Sequence, residues 1–163
     1  MERWQAFNIF ADMSARISPE QLVQLANEFG TPLYIYHAEK IKEQYSRLQS
    51  AFRTSDTKFF YAAKALTNIN ILKYIRNIGC NVDCSSINEV LLAIKAGFEP
   101  PHILYTSNNI AFNEIEAAQQ LGVNINIDSI SNLKKFGQKY GHSYPVGMRL
   151  RPNIMAGGNL KIS

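Results

Sequence analysis

A repeated alternation of short apolar strands and amphipathic helices constrains the fold of this chain more than any other feature. The pattern predicts five strands, at residues 58–62, 81–84, 102–106, 124–128 and 145–151. A helical segment follows each of the first four strands and ends at a glycine: Gly79, Gly97, Gly122 and Gly141. Alternating β and α units of this kind are typical of the α/β class with a parallel sheet.

A polar or charged residue stands where each strand gives way to its loop. These residues are Lys64, Asp83, Ser107, Asp128 and Arg149. Successive members are 19, 24, 21 and 21 residues apart. The carboxyl ends of the strands form the catalytic rim of a (β/α)8 barrel, and an open doubly wound sheet also binds ligands there. The regular step and the lack of a glycine-rich dinucleotide loop favour the barrel.

The length of the chain limits how much of a barrel it can form. A complete (β/α)8 TIM-type barrel takes about 250 residues, whereas this chain has 163. We therefore expect the N-terminal part of such a barrel, incomplete in this chain.

Residues 1–37 precede the barrel pattern. Ser18-Pro19-Glu20-Gln21 is typical of a helix start, with Ser18 as N-cap and Gln21 three residues later, and Gly30 ends the helix. Residues 31–37 (TPLYIYH) predict a strand, and 38–53 a helix. The expected division is a helix and strand in 1–37, and a partial (β/α) barrel in 38–163.

Composition argues against several kinds of partner. The formal net charge is +4, but the lysines and arginines are scattered, without the dense basic run that binds nucleic acid. No apolar run approaches the roughly 18 residues of a membrane span, and no signal-type apolar core follows the N-terminus. We therefore expect a cytoplasmic protein that binds neither nucleic acid nor membrane.

Cysteine and histidine spacing does not predict a metal site. Cys80 and Cys84 have no second pair and no nearby histidine, which favours reduced, buried thiols over a metal site or a disulfide. His37, His102 and His142 are spread along the chain without metal-ligand spacing. We interpret all five side chains as structural.

Lys64 is the first candidate for chemistry. A lysine at the end of a buried strand is costly to place unless its amine is used there. One interpretation is a partly desolvated amine that forms a Schiff base with a cofactor aldehyde. The alternative is a lysine that extends to solvent or pairs with Asp83.

The other candidates also have two interpretations each. Asp83 could orient Lys64 or a cofactor, or it could cap the next helix, as could Ser85 or Ser86. Ser86 and Glu89 have the spacing of a capping box. Asn108 could contact a ligand or form a turn.

Two rim residues lie further along the chain. Asp128 is predicted to cap the helix after Ser129. Arg149 offers a donor fork that suits a phenolate, phosphate or carboxylate. Arg151 has the same strand parity, so position alone does not choose between the two arginines.

Tyr61-Ala62-Ala63-Lys64-Ala65 resembles the Tyr-Ala-x-Lys-Ala motif of the fold-type III pyridoxal-phosphate decarboxylases. Among these, the chain looks most like the diaminopimelate decarboxylases. Further stretches carry this resemblance, at residues 31–36, 83–89, 93–98, 149–153 and 154–163.

The resemblance implies an alanine racemase-like barrel that binds pyridoxal 5'-phosphate, together with a β-rich domain built mainly from later sequence. The strand at 31–37 would join the barrel or pair with that β domain. Lys64 would form the Schiff base with the cofactor, and Arg149 rather than Arg151 would lie near its phenolic oxygen. The resemblance also assigns pocket residues, namely Asp83, Ser86, Glu89 and, as pocket or substrate support, Asn108.

The implied reaction is decarboxylation of meso-2,6-diaminopimelate to L-lysine and CO2 by a homodimer. The alternatives are decarboxylation of ornithine, arginine or carboxynorspermidine, or a non-catalytic barrel that binds a partner. In the family, a ring-stacking histidine, a phosphate-binding glycine loop and an acid at the pyridine nitrogen follow this stretch. We therefore expect no turnover from the 163 residues alone.

Overall fold

The computed structural model describes residues 17–106 and 108–150. The chain divides into two compact units, Met1–Thr57 and Lys58–Ser163. The division at residue 37 expected from the sequence concerns the domains of the whole protein and stays a prediction.

The first unit contains helices α1 (Pro19–Phe29) and α2 (Ala38–Ala51). The predicted capping box is confirmed, because Gln21 N–H donates to Ser18 Oγ (3.3 Å) and Ser18 N–H donates to Gln21 Oε1 (2.8 Å). Helix α2 begins differently, since Nδ1 of His37 accepts the N–H of Lys40 at 3.1 Å. A capping histidine is a structural role, as predicted for His37.

The predicted strand at 31–37 is wrong. These residues form no strand, and the described part of the first unit contains only helices as regular elements. A strand requires a neighbouring backbone to satisfy its N–H and C=O groups, and no strand in the described part of this unit provides one. The apolar side chains of the segment remain exposed, with Tyr34 at 85%.

The second unit is built on a parallel sheet of five strands in the order β1-β2-β3-β4-β5. The strands are β1 (Phe60–Ala62), β2 (Asn81–Cys84), β3 (Ile103–Thr106), β4 (Asn124–Ile127) and β5 (Gly147–Met148). The helices between them are α3 (Ile69–Asn77), α4 (Ile87–Lys95), α5 (Phe112–Gln120) and α6 (Ile130–Tyr140). A doubly wound sheet reverses its strand order at a switch point, so this sequential order is that of a barrel.

The two faces of the sheet differ in polarity. Alternate strand residues are at most 1% exposed and form the core with the helices: Val82, Cys84, Ile103, Tyr105, Ile125 and Ile127. The intervening positions include the half-buried polar residues Asp83, Thr106 and Asn126. Because side chains alternate between the faces of a strand, these polar residues lie on the face opposite the core, which would line the interior of a barrel.

Most elements match their predicted bounds to within two residues, but β5 is much shorter than the predicted 145–151. Pro145 has no N–H to donate to a ladder. The ladder continues for one residue past β5, because the N–H of Arg149 donates to the carbonyl of Ile127 at 2.9 Å. Residue 151 lies outside the described range. No helix among the described residues has the length and apolarity needed to cross a membrane.

Candidate active site

Lys64 lies in a short 3-10 turn, Ala63–Ala65, that follows β1 directly. Ala63 is completely buried, and the Tyr61 hydroxyl donates to the carbonyl of Leu66 at 3.2 Å, which closes the turn. Lys64 itself is exposed, and within the described residues its Nζ has no hydrogen bond or ion pair. The described residues therefore do not desolvate the Lys64 amine as the sequence predicted. Strand β1 is an edge strand of the described sheet, so no strand covers its other side.

Asp83 lies on β2 beside the end of β1, where its Cα is paired with that of Ala62. The Thr106 hydroxyl donates to Oδ1 of Asp83 at 2.6 Å. Asp83 forms neither the helix cap nor the ion pair with Lys64 that the sequence left open. Its carboxylate is instead held from the next strand.

Ser86 is the N-cap of α4, and its Oγ accepts the N–H of Glu89 at 3.2 Å. In a complete capping box the Glu89 side chain would accept the N–H of the N-cap residue, Ser86. Here Oε2 of Glu89 instead accepts hydrogen bonds from the N–H of Ser85 (2.7 Å) and from its Oγ (3.1 Å). The carboxylate reaches one residue beyond the cap. Ser86 and Glu89 thus fix the first turn of α4, and the Glu89 charge lies at the positive end of the helix.

The predicted helix cap at Asp128 is wrong. Ser129 caps α6 by accepting the N–H of Asn132 at 3.3 Å. Oδ2 of Asp128 instead accepts the N–H of Asn109 at 2.6 Å. Sequence reasoning assigned Asp128 to the local helix because it could not show that the β3–α5 loop approaches β4.

Asn108 is exposed on that β3–α5 loop, and Ser107 lies outside the described residues. A second bond holds the loop, since Nδ2 of Asn132 donates to the carbonyl of Ile110 at 3.2 Å. Asn132 is only 7% exposed. Sequence reasoning missed it, because an asparagine in the first turn of a helix gives no signal of a partner 22 residues away.

The interior face near β5 contains a close side-chain approach that the sequence did not indicate. A Cβ on Gly147 would lie 2.0 Å from Oδ1 of Asn126, so the Asn126 side chain occupies the space that glycine leaves open. Arg149 follows two residues later and is exposed; its guanidinium has no partner among the described residues. Arg151 lies outside them, so the choice of Arg149 over Arg151 stays a prediction.

The structure places Lys64 just after β1 and Asp83 on the neighbouring β2, but it leaves Arg149 at the other edge of the sheet. Four strand spacings, roughly 19 Å along a sheet, separate β1 from β5. All three residues lie towards the carboxyl ends of their strands, the end at which α/β proteins bind ligands. Among the residues the structure describes, no group of three His, Cys, Asp or Glu side chains could hold a metal ion.

A family model described as pyridoxal-dependent decarboxylase, pyridoxal binding domain, matches residues 38–163. The chain belongs to the pyridoxal-dependent decarboxylases. The cofactor of this family is pyridoxal 5'-phosphate, which confirms the predicted cofactor.

Individual members of the family are similar to much of this chain. A diaminopimelate decarboxylase from Methanothermobacter thermautotrophicus is 39% identical over 137 residues, which is 83% of this chain and 32% of that relative. The crystal structure of diaminopimelate decarboxylase from Helicobacter pylori, complexed with L-lysine, matches with a TM-score of 0.73 at 30% identity, over 82% of this chain and 35% of its own. The crystal structure of ornithine decarboxylase from Entamoeba histolytica matches with a TM-score of 0.70 at 26% identity. The match covers 80% of this chain and 42% of that chain.

These similarities confirm the predicted fold, the N-terminal part of a TIM-type α/β barrel, and the resemblance to the diaminopimelate decarboxylases. The chain spans about a third of the length of the diaminopimelate decarboxylases it matches. A complete pyridoxal-dependent decarboxylase therefore contains much sequence that has no counterpart here.

The residues at the strand ends fit pyridoxal 5'-phosphate in their chemistry. A primary amine is the group that reacts with an aldehyde, and Lys64 presents one without a competing partner among the described residues. The Arg149 guanidinium suits the phenolate or phosphate oxygens of the cofactor. Asp83 adds a carboxylate whose orientation is fixed by Thr106.

Proposed function

We propose that this chain supplies the lysine-bearing part of an enzyme that decarboxylates meso-2,6-diaminopimelate to L-lysine and CO2. The observation that carries the proposal is the Lys64 amine, which lies at the end of β1 without a partner among the described residues, in a family whose cofactor is an aldehyde. The substrate is proposed from the 39% identity to a diaminopimelate decarboxylase.

In the proposed site Lys64 would hold the cofactor through Nζ, because a primary amine is the group that reacts with an aldehyde. Asp83, on the adjacent strand, accepts a hydrogen bond from the amine and orients it. Arg149 would bind the phenolic oxygen of the cofactor. When bound, the cofactor supplies an electron sink for the electron pair that remains when CO2 leaves.

Three further residues support this site in the proposal. Ser86 and Glu89 fix the N-terminus of α4, which lies directly after β2, so they hold the backbone that follows Asp83. Asn108 is proposed as a pocket or substrate-supporting residue on the β3–α5 loop. The ties of this loop to Asp128 and Asn132 support that role, because a binding loop needs a defined position.

The organisation of the whole protein follows from the same proposal. We place the reaction in the cytoplasm, a compartment that keeps thiols reduced, and the unpaired, buried Cys80 and Cys84 agree with that. The homodimer, and the packing of residues 1–37 against a β-rich domain, stay predictions. Analytical ultracentrifugation of the full-length protein tests the first.

Similarity of fold does not distinguish between the possible substrates. The TM-scores of 0.73 with a diaminopimelate decarboxylase and 0.70 with an ornithine decarboxylase are too close to separate the two activities by fold. The decarboxylase of ornithine, arginine or carboxynorspermidine is therefore the competing catalytic function. A barrel that binds a partner without catalysis is the competing function of another class.

The test measures CO2 release by the full-length protein with pyridoxal 5'-phosphate, using diaminopimelate, ornithine, arginine and carboxynorspermidine. We expect diaminopimelate to be the preferred substrate and Lys64→Ala to abolish turnover. Lys73→Ala, which removes an exposed lysine on α3, is the matched control and should remain active. Preference for another amine identifies the competing decarboxylase, and CO2 release from none of the four contradicts the enzymatic proposal.

A further inference from the structure

One polar contact on the interior face of the sheet joins two strands beside Lys64. Oγ1 of Thr106, on β3, donates to Oδ1 of Asp83, on β2, at 2.6 Å. The Cα of Asp83 is paired with that of Leu104, so Thr106 stands two residues further on and on the same face. Both side chains are half-buried.

The sheet does not need this bond for its own assembly. The backbone of Thr106 is already placed by its pairing with Asn126 on β4. Strands β2 and β3 are joined by their own ladder, which includes the pairs of Val82, Asp83 and Cys84. The hydroxyl contact therefore adds a side-chain constraint to a backbone that is already fixed.

The contact determines how the Asp83 carboxylate is presented. Oδ1 is occupied by the hydroxyl, whereas Oδ2 accepts no hydrogen bond from any residue in the described ranges. Threonine is branched at Cβ and has few χ1 rotamers, so it holds the carboxylate with little freedom. Asp83 is also next to Ala62, two residues before Lys64.

We propose that Thr106 is a positioning residue that fixes the Asp83 carboxylate, leaving Oδ2 for the Lys64 amine or the bound cofactor. This inference rests on the proposed function. Thr106 does not touch the reacting atoms, and its whole effect passes through Asp83.

A double-mutant cycle in the full-length protein tests this route. Thr106→Val removes the hydroxyl at similar shape, Thr106→Ser keeps a hydroxyl, and Thr106→Ala is a second hydroxyl-free variant if valine disturbs folding. Each is made alone and together with Asp83→Asn. The readouts are kcat, KM and the affinity of the apoprotein for pyridoxal 5'-phosphate by equilibrium dialysis.

We expect Thr106→Val to lower kcat by roughly 10-fold, in line with loss of a hydrogen bond to a charged group, and to weaken cofactor binding. KM should change little, and Thr106→Ser should recover most of both losses. In the Asp83→Asn background, Thr106→Val should cause no further loss, because residues that act as a unit are not additive.

If the wild-type enzyme is active, either of two results overturns the proposed role of Thr106. One is a Thr106→Val or Thr106→Ala variant that matches wild type in kcat and cofactor affinity. The other is an equal loss in the wild-type and Asp83→Asn backgrounds, which means that Thr106 acts independently of Asp83. A wild-type protein that binds no cofactor overturns the proposed function itself, and this inference with it.

Discussion

The backbone N–H of Asn109 donates a 2.6 Å hydrogen bond to Oδ2 of Asp128, and this bond joins the loop after β3 to the end of β4. Asn109 has a φ of 55°, in the left-handed region that residues other than glycine seldom adopt. Asparagine is among the residues that adopt this region most readily, and the loop is also held from outside, because Asn132 donates to the neighbouring carbonyl of Ile110. The loop that contains Asn108 is thus fixed by side chains of the next βα unit.

Replacing Asp128 should loosen this loop without unfolding the sheet. We expect Asp128→Ala to speed amide hydrogen exchange at Asn109 by roughly 10-fold or more, because the amide loses an acceptor that is a charged group. Asp128→Asn keeps an oxygen at the same position and should retain much of the protection. The measurement is residue-resolved hydrogen exchange in the full-length protein. Unchanged exchange at Asn109 in Asp128→Ala would show that the bond does not hold the loop.

A side chain at Gly147 requires the Asn126 side chain to shift. A Cβ there would meet Oδ1 of Asn126 at 2.0 Å, so Gly147→Ala must move the end of the Asn126 side chain from its present position. We expect a loss of about 1–3 kcal/mol in the free energy of unfolding, as for other overpacked sites. Chemical denaturation of the full-length protein measures this loss.

Gly137 provides the matched control for this substitution. It lies in α6 and is exposed, and a Cβ at this position would have no neighbouring atom within 4 Å. Gly137→Ala should therefore stabilise the protein by roughly 0.5–1 kcal/mol, since alanine is the better helix former. Adding Asn126→Ala should relieve the clash at Gly147→Ala. Equal effects of alanine at the two glycines would contradict the close approach.

Cys84 should be nearly unreactive in the folded protein. Burial raises the pKa of its thiol from 9.0 to about 12, and the negative charges of Glu89 and Asp83 act in the same direction. At pH 8 the folded protein therefore has roughly 1,000-fold less thiolate at this site than an ordinary thiol. We expect iodoacetamide to label Cys84 only after denaturation, as followed by peptide mass spectrometry.

The same pKa shift gives the sign of a pH effect on stability. Between pH 9.0 and about 12 the unfolded chain releases the Cys84 proton while the folded chain keeps it. The contribution of Cys84 to stability is therefore fully present below this window and is lost as the pH rises through it. Cys84→Ala should remove this part of the alkaline loss. Rapid labelling of Cys84 in the native protein at pH 8 would contradict both expectations.

The local pattern was sufficient to predict the sheet and its helices. Apolar periodicity and glycine stops depend on neighbouring residues, and they predicted β2 (Asn81–Cys84) without error. The capping box of Ser18 and Gln21 was also readable, because both of its hydrogen bonds lie within three residues. Residues 31–37 are rich in strand-forming aromatic and aliphatic residues, but a strand also needs a partner, and local sequence does not provide that information.

The contacts within the candidate site depend on register, which the local pattern does not reveal. Thr106 and Asn126 were unremarked polar positions within strands until the pairing of β2 with β3 and of β4 with β5 placed them beside Asp83 and Gly147. Asp128 was assigned to the nearest helix for the same reason. Sequence spacing could identify Lys64 and Asp83 as neighbours, but not which group holds the Asp83 carboxylate.

Borohydride reduction tests most directly whether Lys64 is the residue that holds pyridoxal 5'-phosphate. Reduction converts the bond between the cofactor aldehyde and a lysine amine into a stable secondary amine, which peptide mass spectrometry can locate. We predict that the full-length protein has the pyridoxyl group on Lys64, and that Lys64→Ala has none while Lys73→Ala is labelled like wild type. Labelling at another lysine, or undiminished labelling of Lys64→Ala, would contradict the assignment of the site.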